Sequence, residues 1–146
     1  MRSISVADVA ERLLVVVPTY NERDNLPLII PAILQQDPRL EVLVVDDNSP
    51  DGTGELADEI AAATPRVHVL HRPEKSGLGK AYLAGFRWAL DRGYDLIFEM
   101  DADFSHDPKF LGDFIRAAGD ADLVIGSRYR SGVNVINWPI SRLLLS

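Results

Sequence analysis

A chain of 146 residues with 47% hydrophobic and 25% charged content has the make-up of one soluble globular domain, large enough to bury roughly two-thirds of its unfolded surface. Its formal net charge of -7 argues against a nucleic-acid backbone as ligand, because such binding calls for a basic face. Cysteine is absent, which excludes disulfides and thiol chemistry and makes a reducing, cytosolic setting the default expectation.

Leu13 to Val17 is a continuous apolar run stopped by Pro18, and it predicts a first strand. Leu26 to Gln36 has helical spacing. Glu41 to Val45 repeats the strand pattern ahead of Asp46-Asp47, and Gly54 to Ala63 returns to helical spacing. Val67 to Leu70 reads as a strand, Leu78 to Leu90 as a helix, and Leu96 to Met100 as a fourth strand. Asp107 is placed to cap a helix over Pro108 to Ala118, with Pro108 at its first position. Leu123 to Ile125 predicts a fifth strand. Strands alternating with helices imply an α/β fold with an open, mostly parallel sheet flanked by helices. There is no internal repeat, and the longest linker-like piece is Ser127 to Asn137, so residues 1–146 read as one domain.

No apolar run approaches the eighteen or so residues of a membrane span. Met1 to Glu11 lacks the basic start and apolar centre of a signal peptide. At the other end, Arg142-Leu143-Leu144-Leu145-Ser146 reads as the opening turn of a helix with no cap. The expectation is a fragment of a longer domain. Trp138, Ile140 and Leu143 to Leu145 would give that segment an apolar face suited either to a membrane surface or to a core helix.

Ligands of open α/β sheets bind beyond the carboxyl ends of the strands, and the polar clusters follow the predicted strands. They are Pro18-Thr19-Tyr20-Asn21-Glu22, Asp46 to Gly52, Asp101-Ala102-Asp103 and Gly126-Ser127-Arg128-Tyr129. Gly77-Leu78-Gly79-Lys80 lacks a third glycine for the dinucleotide fingerprint, and no P-loop motif occurs. It reads as a loop and helix entry, with Lys80 a candidate anion contact. Asp101 and Asp103 form an Asp-x-Asp pair after an apolar strand. If that segment is extended, both carboxylates point one way and small Ala102 admits a ligand to the backbone. Mg²⁺ or Mn²⁺ suits such a pair, because it takes few protein carboxylates and completes its shell with phosphate oxygens and water. His106 is open to three readings, ligand, base or loop residue, of which the loop is preferred because no second histidine stands at metal spacing. Glu99 alternates onto the other side of the strand.

Val15 to Glu22, Val44 to Thr53, Gly77 to Tyr82, Asp101 to Pro108 and Gly126 to Tyr129 together resemble the family 2 inverting glycosyltransferases. Within that family they are similar to the dolichol- or polyprenol-phosphate mannose synthases. The match runs from about Leu13 to the last residue. The resemblance implies a Rossmann-like nucleotide-sugar-binding domain of GT-A type, a GDP-mannose donor, a divalent cation, Mg²⁺ or Mn²⁺, and a polyprenyl or dolichyl phosphate acceptor. It also implies peripheral attachment to the cytoplasmic face of a membrane.

Carried over by position, the resemblance implies that Pro18, Tyr20 and Glu22 line the nucleoside pocket. Val45 and Asp47 contact base and ribose, while Asp101, Ala102 and Asp103 bracket the diphosphate. Asp103 is the foremost metal ligand, with Ser105 and Asp101 completing the shell, and Arg128 meets donor or acceptor phosphate. Asp101, Asp103 and Arg128 form the implied catalytic set. No general base is assigned, because a lipid phosphate is already anionic at neutral pH, and inversion follows from attack on the sugar face opposite the leaving GDP. The family's domain normally continues beyond Ser146 with acceptor contacts, which leaves residues 1–146 as its donor-binding part. Two other readings share these residues: a polyprenyl-phosphate glucosyltransferase using UDP-glucose, and a non-catalytic nucleotide-sugar-binding fragment.

Overall fold

The computed structural model describes residues 10–126. Four strands, β1 (Leu13–Thr19), β2 (Leu40–Asp46), β3 (Val67–His71) and β4 (Leu96–Glu99), form one sheet in the order β3-β2-β1-β4, and every pairing is parallel. Helices α1 (Leu26–Leu34), α2 (Thr53–Ala63), α3 (Leu78–Asp91) and α4 (Leu111–Ala117) fill the connections. The expected α/β architecture with an open parallel sheet is the one observed.

The unbroken apolar runs of β1 and β2 follow from burial on both faces. Leu13, Val15, Val17, Val42 and Val44 point to the face covered by α1, α2 and α4. Leu14, Val16, Leu43 and Val45 point to the face covered by α3. Alternation along each strand thus feeds two cores.

Beyond shifts of a residue or two at several element ends, three differences from the sequence expectation bear on the site. β1 runs through Pro18 to Thr19, because its ladder with β4 stops where Val16 pairs with Glu99, so a missing proline N–H costs no bond on that side. The helix expected from Pro108 opens as a single 3-10 turn, Pro108–Phe110, before α4. Its cap is as expected: the Asp107 side chain accepts from the Lys109 N–H at 3.0 Å.

The third difference is a correction. Leu123 to Ile125 forms no strand; Leu123 and Ile125 are 76% and 78% exposed. Gly126 lies against the Phe114 ring of α4, close enough that a Cβ there would meet Cζ at 2.6 Å. The chain at Gly126 is therefore held against α4, and Leu123 and Ile125 bury too little surface to form a further buried strand. Ser127, Arg128, Tyr129 and the apolar segment from Trp138 to Leu145 lie outside the described residues.

Candidate functional site

Parallel strands send every carboxyl end to one edge of the sheet, and this chain concentrates its buried polar groups there. Among the described residues these are Thr19, Asp46, Asp47 and Thr53, at the ends of β1 and β2 and the start of α2. Asp46 ties the edge together. Its carboxylate accepts from Thr19 Oγ1 at 2.9 Å, Ser49 Oγ at 2.6 Å and the Ser49 backbone N–H at 3.1 Å. Ser49 Oγ in turn accepts from the Asn21 N–H at 3.0 Å, and Thr53 Oγ1 accepts from the Glu22 N–H at 3.0 Å. The loop after β1 is thereby laced to the loop after β2. Asn21 and Asn48 both take left-handed backbone, at φ 58° and 56°, which a short polar side chain tolerates.

Of the residues expected to line a nucleoside pocket, Pro18 is half-buried near the end of β1, and Tyr20 is 37% exposed with Lys75 Nζ 4.2 Å from its ring centroid. Glu22 accepts from Asn25 Nδ2 at 2.7 Å. Val45 is not brought to this edge by its side chain. The pleat of β2 turns it into the α3-side core beside Leu14, Val16 and Leu43, fully buried. Asp47 is buried at the edge, and Arg72 Nη1 stands 3.2 Å from its Oδ1. No N–H is aligned on that oxygen, which is buried without a hydrogen bond. Burial pushes the Asp47 carboxyl up, with the Arg72 charge opposing. Sequence reading passed over Arg72, although its position directly after β3 obeys the same edge rule.

Beyond β4 the chain turns. Ala102 and Asp103 lie in a turn and Phe104 takes φ 61°, so the extended 101–103 segment expected from sequence is not present. A left-handed phenylalanine is a strained element of the kind found in ligand-binding loops. The alternation of exposure survives. Ala102 is buried in the core with Met100 and Ile115, whereas Asp101 is half-buried and Asp103 exposed. Asp101 Oδ1 accepts from Tyr82 Oη at 2.8 Å, and the Asp101 N–H donates to His106 Nδ1 at 3.3 Å. Burial first, and then the bond to Asp101, push the Tyr82 phenol up, which keeps it a hydrogen-bond donor. Asp103 Oδ1 accepts from the Ser105 N–H at 2.9 Å. Hydrogen bonds from the Ser105 side chain and backbone hold the Asp103 carboxyl below its ordinary range. Tyr82 is the second residue that sequence reading missed.

The donor set bears on a divalent cation. Asp101 and Asp103 offer hard carboxylate oxygens and Ser105 a hydroxyl; among the described residues no group of three or more His, Cys, Asp or Glu side chains could hold a metal ion. That combination fits Mg²⁺ or Mn²⁺, whose shells accept one or two protein carboxylates plus phosphate oxygens and water. It does not fit a closed structural zinc centre.

The sequence matches the description Glycosyl transferase family 2 over residues 14–144. It is 59% identical over 138 residues to a polyprenol monophosphomannose synthase from Mycolicibacterium smegmatis, covering 93% of this chain and 52% of that protein. It is 56% identical over 135 residues to an undecaprenyl-phosphate mannosyltransferase from Micrococcus luteus, covering 92% and 56%. The fold superposes with a TM-score of 0.58 and 30% identity on a mannosyltransferase from Pyrobaculum calidifontis in complex with GDP-Man and Mn²⁺, over 68% of this chain and 29% of that one. The chain spans about half the length of the curated relatives it matches.

Proposed function

Because the chain belongs to glycosyl transferase family 2, we propose that it is the donor-binding part of an enzyme that transfers mannose from GDP-mannose to a polyprenyl, dolichyl-type monophosphate with inversion, releasing GDP. The observation that carries this reading is the laced carboxyl edge, where a buried Asp47 paired with Arg72 after β2 and an acidic pair behind β4 stand on either side of β1. Relatives named for transfer of mannose to polyprenyl carriers support the substrate classes.

In this reading the exposed Tyr20 ring and Glu22 flank the nucleoside, and Asp47, with Arg72 beside it, contacts base and ribose. Val45 contributes through its backbone. Asp101, Ser105 and Asp103 hold Mg²⁺ or Mn²⁺, with Asp103 kept ionised by Ser105. When bound, the cation stabilises negative charge on the departing diphosphate. Arg128 adds a fixed positive charge for donor or acceptor phosphate. The attacking lipid phosphate is already anionic, so no side chain needs to remove a proton, and His106 Nδ1 is engaged with the Asp101 backbone. The lipid acceptor places the protein at a membrane surface, peripherally on the cytoplasmic face. No helix among the described residues is long and apolar enough to cross a bilayer.

Calorimetry with GDP-mannose and Mn²⁺ tests the site. Asp103→Asn is expected to lower metal-dependent affinity roughly tenfold or more, while Glu99→Gln, exposed on β4, stays within about twofold of the parent. Equal losses in both variants sink the assignment of the acidic pair. Tighter binding of UDP-glucose than of GDP-mannose points to the glucosyltransferase alternative, and product formation from a polyprenyl phosphate separates an active enzyme from a binding fragment.

A further inference from the structure

We propose that Tyr82 is the positioning residue for Asp101, fixing one carboxylate oxygen so that the other faces the cation and diphosphate. The inference rests on the cation reading above and adds a residue from the opposite layer of the fold. Tyr82 sits in the second turn of α3, buried, on the face that packs against the sheet. Its ring stacks on Phe86 at 6.2 Å between centroids, which sets the direction of the phenol. The hydroxyl donates to Asp101 Oδ1 at 2.8 Å, across nineteen residues of sequence.

The backbone explains why the hydroxyl arrives there. Gly85, one turn later, lies so close to β1 that a Cβ would meet Val16 Cγ1 at 2.4 Å. Val16 is the residue that pairs with Glu99 at the end of β4, and its carbonyl accepts from the Met100 N–H at 3.1 Å. Close approach of α3 at Val16 therefore brings Tyr82 over the point where the chain leaves β4, one residue before Asp101.

A half-buried carboxylate with one oxygen held has one preferred rotamer, and its second oxygen is directed without an entropic cost at the moment of binding. Without the phenol, Asp101 keeps its charge and loses its orientation. The effect then belongs to ligands that bind through the cation and not to nucleotide contacts made by the β1 and β2 loops.

The test is calorimetry of GDP binding to the 146-residue chain, with and without Mn²⁺, for the parent, Tyr82→Phe, Asp101→Asn and the double variant. Tyr82→Phe keeps the ring stack and removes one oxygen. Its metal-free GDP affinity is expected within about twofold of the parent, and its Mn²⁺-supported affinity at least about tenfold weaker. If Tyr82 acts through Asp101, adding Tyr82→Phe to Asp101→Asn brings no further loss. A parent that gains nothing from Mn²⁺ overturns the cation reading and this inference together. Where the parent gains, a Tyr82→Phe variant that keeps the full gain overturns the positioning role alone. Equal losses with and without metal also overturn it, since they mark a merely structural residue.

Discussion

Asp37, just ahead of β2, is gripped by Arg39 through three contacts: the backbone N–H at 2.8 Å, Nε at 3.0 Å and Nη2 at 2.8 Å. The Arg39 side chain is the largest cause of a carboxyl held below its ordinary range. Glu41, two residues on, is also held low. Burial pushes it up, but hydrogen bonds from Tyr94 at 2.7 Å and His68 at 2.6 Å outweigh that. Both groups have folded pKa values below their unfolded ones, about 3.9 for Asp and 4.3 for Glu. Their contribution is complete above those unfolded values and is lost as pH falls through the folded ones. Urea unfolding is therefore expected to show stability falling from pH 5 to pH 3. Asp37→Asn should cost about 1 kcal/mol at neutral pH and less at pH 2.5. A cost that is the same at both pH values would remove the carboxylate from the account.

At the level of elements, α3 is held against β1 by a missing side chain. Gly85→Ala gains roughly 1 kcal/mol in helix propensity but must push Val16 aside, and overpacking of this kind costs about 1–3 kcal/mol. A net loss is expected in thermal unfolding, together with a weaker Mn²⁺ response through Tyr82. Gly79→Ala in the same helix meets nothing within 4 Å and should be neutral or stabilising by up to about 1 kcal/mol; the reverse order of the two melting points would refute the close-approach account. The elements were largely legible in sequence, because strands buried on both faces leave unbroken apolar runs and helices leave a one-sided stripe. Leu123 to Ile125 misled for the same reason. Strand propensity says nothing about whether a partner edge is available, and here Gly126 is anchored on Phe114 instead. The Asp101–Ala102–Asp103 motif was visible, but its turn, set by left-handed Phe104, was not.

Across the whole molecule, the gathering of polar loops at one edge was legible because parallel topology sends every strand's carboxyl end there. The contacts that tune it were not. Arg72 with Asp47 and Tyr82 with Asp101 join side chains 25 and 19 residues apart; the first depends on β3 lying beside β2 and the second on how close α3 stands to the sheet, and no periodicity encodes either placement. The strand order has a further consequence, in time. Leu13 pairs with Leu40 and with Leu96, and the second loop is roughly three times the length of the first, so closing β1–β4 costs about 1 kcal/mol more chain entropy than closing β1–β2. The local β1–β2–β3 unit is expected to form in the folding transition state and β4 to dock after it. Stopped-flow chevrons should then show Val42→Ala mainly slowing refolding and Phe98→Ala mainly hastening unfolding; the opposite partition would reverse the order. A nascent chain would thus complete the laced edge of Thr19, Asp46 and Asp47 first and gain Asp101 only as β4 closes the sheet.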